Sequence, residues 1–163
     1  MATTYEKIAT TTLSSAGSIS FTSIPSTYTD IRLVLVAFAS SNLNFNITFN
    51  NDTSALYSQT DLYGDGTTAS SGRQSGNTGI SMSVYANFGT TPHLTTLDLF
   101  SYAGSTNKTC LITQSNDRNG TGIVSRTVSL YRSTSAINRL DVVAGAPTFS
   151  AGTTATLYGI LKA

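Results

Sequence analysis

Eight consecutive residues, Leu43-Asn44-Phe45-Asn46-Ile47-Thr48-Phe49-Asn50, alternate strictly between large apolar and polar side chains. A period of two puts successive side chains on opposite faces of a pleated strand, so this segment offers one face to a core and the other to water. Shorter versions of the pattern recur along the chain and predict strands near 5–13, 18–24, 31–38, 56–62, 80–85, 94–102, 108–113, 124–132, 137–143 and 154–161. The 31–38 run is nearly continuous in apolar residues, as expected of a strand covered on both faces by the sheet packing or by a neighbouring subunit. Turn chemistry separates the strands: Pro25 after Ile24, then Gly64-Asp65-Gly66, Asn87-Phe88-Gly89, Ala103-Gly104, Asn119-Gly120 and Ala151-Gly152. Residues 64–79 form the longest stretch poor in apolar side chains and read as a surface loop.

Composition agrees with a β chain. Ser and Thr supply 51 of the 163 residues and Glu only one, which withholds the usual helix formers and favours a pleated, half-buried surface. About ten short strands without an internal repeat or a linker predict an all-β fold, a single antiparallel two-sheet sandwich, jelly-roll-like, over residues 1–163. Residues 1–12 serve there as an N-terminal arm or first strand. The pattern itself does not choose between jelly-roll and immunoglobulin-like connections, although the chain lacks the Trp and the cysteine pair of antibody domains. Open strand edges in so Thr-rich a sandwich invite pairing, which a symmetric oligomer would bury.

Charge and cysteine usage narrow the function classes. Nine Lys and Arg against eight Asp and Glu give +1, and the cations are dispersed, so neither nucleic acid nor an anionic membrane is an expected partner. Cys110, the one cysteine, sits in Thr109-Cys110-Leu111-Ile112 and reads as a small core hydrophobe. The chain opens without a charged and apolar leader and contains no apolar run of about eighteen residues, so synthesis in a cytoplasm is expected.

The side chains that could carry chemistry are few. His93, the only imidazole, follows Pro92 at a strand entrance and reads as a surface or subunit-contact residue. Asp61 with Asp65, and Asp117 with Asn119, form oxygen-rich pairs of the kind that hold calcium, but such residues in Gly-containing turns more often cap their own backbone. No spacing pairs two carboxylates for glycoside hydrolysis. Tyr57, Tyr63, Tyr85 and Phe88 flank the 64–79 region and offer rings for a surface-loop or glycan contact, while core or subunit packing is the commoner use of such residues.

Several segments resemble a family of structural proteins of tailed bacteriophages. They are Phe49-Asn50-Asn51-Asp52-Thr53, Leu62-Tyr63-Gly64-Asp65-Gly66, Tyr102-Ala103-Gly104-Ser105-Thr106-Asn107-Lys108-Thr109, and Phe149-Ser150-Ala151-Gly152-Thr153 followed by Leu157-Tyr158-Gly159-Ile160. The openings Tyr5-Glu6-Lys7-Ile8-Ala9 and Phe21-Thr22-Ser23-Ile24-Pro25 share that look. The resemblance implies a virion component with a β-sandwich fold, made in the host bacterial cytoplasm. It would be either a capsid decoration (cement) protein on the head exterior or a tail-fibre or baseplate module that binds host-surface glycan. It implies no enzyme, cofactor or metal, and as partners the major capsid protein and further copies of the chain, as a homotrimer. Running from Met1 to Ala163 with few residues outside the expected strands, the chain reads as self-sufficient, which favours the decoration role. Capsid or subunit contact by strand addition is expected from the Thr-rich arm, with Ala2, Thr3, Thr4, Tyr5 and Ile8 as its contact residues.

Overall fold

A computed structural model describes residues 4–82 and 91–161. They form twelve strands and no helix: β1 (Tyr5–Thr12), β2 (Ile19–Phe21), β3 (Asp30–Ala37), β4 (Phe45–Phe49), β5 (Tyr57–Gly64), β6 (Ala69–Asn77), β7 (Ile80–Ser81), β8 (His93–Phe100), β9 (Lys108–Asn116), β10 (Ile123–Tyr131), β11 (Leu140–Ala144) and β12 (Thr154–Ile160). They pair antiparallel into two sheets, one of eight strands in the order β1-β12-β3-β8-β9-β10-β5-β6 and one of four in the order β2-β11-β4-β7. The chain is therefore an all-β, two-sheet antiparallel sandwich, as its sequence pattern predicts.

Alternation explains where the core lies. In β4, Phe45, Ile47 and Phe49 turn inward, with Ile19 and Phe21 of β2 and Leu140 and Val142 of β11 beside them. Facing them from the large sheet are Ile31, Leu33, Leu35, Leu97, Leu99, Ile112 and Leu157. Burying each such side chain is worth about 1.5–3 kcal/mol. Aromatic rings fill one end of the interior: Tyr57 stacks on Tyr131 with centroids 4.7 Å apart, and Phe49 lies 5.6 Å from Tyr131. Asn50, at φ 54°, pins the next crossing of the chain. Its Oδ1 accepts the Asn138 and Arg139 backbone N–H groups at 2.9 and 3.3 Å, and its Nδ2 donates to the Ala136 carbonyl at 2.9 Å.

One expectation is corrected. Residues 69–77 are the edge strand β6 rather than part of a loop: they pair with β5 from Tyr57↔Asn77 to Gly64↔Ala69. Their Ser, Gly, Arg and Gln side chains carry no apolar alternation because the strand buries none on the core. In β3 the sheet packing covers one face: Ile31, Leu33, Leu35 and Ala37 are buried, while Arg32, Val34 and Val36 are half-buried on the outward face. Of the expected N-terminal arm, residues 5–12 form a strand of the chain's own sheet. β1 pairs with the chain's own β12 from Tyr5↔Ile160 to Thr12↔Thr154, with a bulge between Lys7 and Ala9. One side of its ladder is thereby taken by β12, and the other side is the open edge of the large sheet.

Candidate functional site

β10 inverts the usual polarity of a sandwich strand. Its inward residues Ser125, Thr127 and Ser129 are buried, whereas Val124 and Val128 on the outward face are 57 and 46 % exposed. The neighbours extend the outward surface. Val124 stands across from Ser115 and Gly64, Arg126 from Thr113 and Leu62, Val128 from Leu111 and Thr60, and Leu130 from Thr109 and Ser58. β6 adds Ala69, Ser71, Arg73 and Ser75 in the same rows. Leu62, 62 % exposed, is the most exposed of the large apolar side chains. A contiguous exposed apolar patch on a folded sheet marks an interaction surface more often than a scattered exposed leucine does.

Small residues between the branched ones give this face relief. One shallow depression of about 390 Å³ runs along Leu62, Gly64, Ala69, Thr113, Val124 and Arg126. A second, of about 380 Å³, runs along Thr60, Arg73, Ser75, Thr109, Val128 and Leu130. Further toward β3 the face carries the Arg32–Asp98 pair, Nη2 donating to Oδ2 at 2.8 Å, with the Arg32 guanidinium 5.7 Å from the Tyr5 ring centroid. Asp98 holds the Arg32 pKa above its ordinary value.

The inversion is made possible by hydrogen bonding inside. Thr127 Oγ1 donates to Asp61 Oδ1 at 2.6 Å, and Gln59 Nε2 donates to the two Asp61 oxygens at 3.1 and 3.2 Å. The same Gln59 amide donates to the Ser81 carbonyl and accepts the Ser81 N–H, at 2.9 and 2.8 Å. A side-chain amide thus does for the join between the sheets what a backbone peptide does in a ladder.

The sequence-derived candidates divide. Tyr57 is fully buried against Phe49 and Tyr131, so its ring is core and not a surface or glycan contact; burial pushes its phenol pKa well up. Tyr63 is half-buried at the end of β5, in the wall of the first depression. Tyr85, Phe88, Ala2 and Thr3 lie outside the described residues. Thr4 is exposed and its carbonyl accepts the Leu161 N–H at 3.0 Å; Tyr5 is outward and exposed; Ile8, at the bulge, packs against the core. His93 is buried at the start of β8, with Thr95 Oγ1 3.4 Å from Nδ1, which corrects its reading as a surface residue. Cys110 is buried as expected, and desolvation pushes its thiol pKa far up, away from reactivity.

The oxygen-rich pairs also separate. Asp61 points inward while Asp65 sits in the exposed turn between β5 and β6, where its Oδ1 accepts the Thr67 and Thr68 N–H groups at 2.9 and 2.8 Å. Those bonds hold the Asp65 pKa far below the usual carboxylate range. Asp117 Oδ1 takes the Gly120 N–H at 2.9 Å, with Asn119 and Gly120 at φ 61° and 90° closing the β9–β10 hairpin. Asp65 and Asp117 do meet at the rim of a depression of about 590 Å³, beside Leu94 and Val124, but each carboxylate is spent on its own turn. Among the described residues no three His, Cys, Asp or Glu side chains gather as metal ligands.

Leu62, Arg73, Val124, Arg126 and Val128 escaped the sequence reading. In 123–131 polar and apolar residues alternate, yet nothing local says which set faces the core. The class these features define is a two-sheet antiparallel β-sandwich with exposed apolar side chains on the outward face of its large sheet. No family model, no curated protein and no solved structure matches the chain.

Proposed function

We propose that this protein is a non-enzymatic component of a tailed-bacteriophage virion, a decoration (cement) protein that adheres to the assembled head through the outward face of its large sheet. The observation that carries the adhesive part is the inversion of β10, which turns valines to solvent and serines and threonines to the core. The virion part is supported by the resembling segments, which fall at the turn after β4, the end of β5, the β8–β9 connection and the approach to β12. The winding fits a jelly roll: the chain crosses between sheets at nearly every step, and the meander β8–β9–β10 stands where the simplest jelly roll has one strand.

A protein that binds only the assembled lattice stabilises it by mass action, by about 2.7 kcal/mol per site at a hundredfold excess over Kd. Free edges at β1 and β6 would serve association into a homotrimer. The experiment is to heat heads with and without the protein and follow DNA release. Heads lacking it should rupture at lower temperature or internal pressure; equal robustness would refute the cement role. The tail-module reading loses Tyr57, since that ring is core.

A further inference from the structure

The outward face of β9, β10, β5 and β6 carries two guanidiniums and no carboxylate. Arg126 stands directly across from Leu62, and Arg73 stands across from Thr60, so Leu62 lies between the two cations, facing one and diagonal to the other. Strand spacing and rise put the two arginine backbones about 10 Å apart across the sheet and about 7 Å along it. Every nearby acid is otherwise engaged. Asp61 is buried on the inward face, Asp98 is taken by Arg32, and Asp65 and Asp117 close their turns. Among the described residues Arg73 and Arg126 meet no carboxylate; Arg126 only approaches Thr113 Oγ1, at 3.4 Å.

We propose that this four-strand face docks an acidic, aliphatic protein surface, whose apolar side chains settle on Leu62, Val124 and Val128 while Arg73 and Arg126 each grip a carboxylate. The inference rests on the adhesion reading above and names the chemistry of its partner. Arginine's planar fork suits bidentate carboxylate recognition, and a desolvated aliphatic centre between two such forks is how a small interface gains register. A second copy is disfavoured as occupant, because stacking this face on itself brings cation toward cation. Nucleic acid would ask for massed cations. A glycan would ask for a ring to stack on, and the outward residues of these four strands include no aromatic.

The test measures binding of the labelled full chain to heads of the source phage from which the protein has been stripped, at low and high salt. The double variant R73E/R126E should melt like the wild type, bind at least about tenfold more weakly and lose most of the salt dependence. Ser26→Glu, exposed in the connection between β2 and β3 and on neither that face nor a free sheet edge, should stay within about twofold. Equal binding by R73E/R126E and wild type overturns this inference and leaves the adhesion reading standing. Failure of the wild type to bind heads overturns both. Wild-type binding to host polysaccharide in place of heads, abolished in R73E/R126E, would put an anionic glycan on the face and likewise overturn it.

Discussion

The inner face of the large sheet has two halves built on different physics. Across β12, β3 and the second half of β8 it is aliphatic, with Leu157, Ile31, Leu33, Leu35, Leu97 and Leu99 buried, His93 and Thr95 being buried polar residues at the start of β8. Across β10 and β5 it is hydroxyl, amide and carboxylate: Ser125, Thr127, Ser129, Gln59 and Asp61 are equally buried. The first half needs only volume and shape, because apolar burial is non-directional. The second needs each donor aimed at an acceptor, because an unpaired polar group in the interior costs about 1–3 kcal/mol. Satisfying the interior with polar groups is what leaves Val124, Val128 and Leu62 available to the outer surface. The apolar outward face and the polar interior are two sides of one choice of register.

The comparison breaks most sharply on large-to-small substitution in the aliphatic half. Leu33→Ala should cost about 2–5 kcal/mol, read from the shift in denaturant midpoint. Asp61→Ala should cost less, about 1–3 kcal/mol, since it strips an acceptor from Thr127 and Gln59 while Gln59 keeps Ser81. An Asp61→Ala loss exceeding that of Leu33→Ala would mean that the polar half, not the aliphatic one, anchors the sandwich.

A third substitution sharpens the picture at the aliphatic edge. The Tyr28 ring lies flat against Gly159 of β12, so closely that a Cβ there would overlap the ring near its root. Tyr28 is held in place from its far end, where the hydroxyl donates to Glu6 at 3.1 Å. Gly159→Ala should cost about 1–3 kcal/mol in the wild type and close to nothing in a Tyr28→Ala background. Equal cost in both backgrounds would place the problem in the strand and not in the ring.

Why the two halves differ in legibility follows from the same physics. β4 was readable because Phe45, Ile47 and Phe49 can only face a core. β6 was not, since Ser70, Gly72, Arg73 and Gln74 place no apolar side chain on either face of an edge strand whose pairing comes from backbone alone. The outward face was illegible for a subtler reason: in β10 the local pattern admits two assignments of inside and outside, and only the partners Asp61 and Gln59, some 66 residues away for the Thr127 bond, select the inverted one. Tyr57 carried two readings, core packing being the commoner, because a tyrosine beside a loop looks the same in sequence whether its ring stacks on a sugar or on Tyr131; its burial selects the core one.

Tyr57 and Tyr131 pair across β5 and β10 at one end of the polar half, and burial raises both phenol pKa values. A phenol whose folded pKa lies above its unfolded value stabilises the fold fully below that unfolded value, about 10, and the contribution is lost as pH rises toward the folded one. Alkaline unfolding should therefore coincide with the last tyrosinate absorbance to appear. Complete ionisation of all tyrosines with the sheets intact would show that the aromatic end is open to water.

The smallest effect is the most telling, because it compares two faces of one strand. Val128→Thr on the outward side of β10 removes exposed methyl surface and no hydrogen bond, and should change stability by no more than about 0.5 kcal/mol. Thr127→Val, one residue away and isosteric, removes the donor to Asp61 and should cost about 1–2 kcal/mol. The two should reverse in an adhesion assay on stripped heads, where Val128→Thr weakens binding and Thr127→Val, once folded, does not. If Val128→Thr destabilised the fold as much as Thr127→Val, the valine would be contributing to the protein's own core, and the outward side of β10 would lose its claim to be a surface kept for a partner.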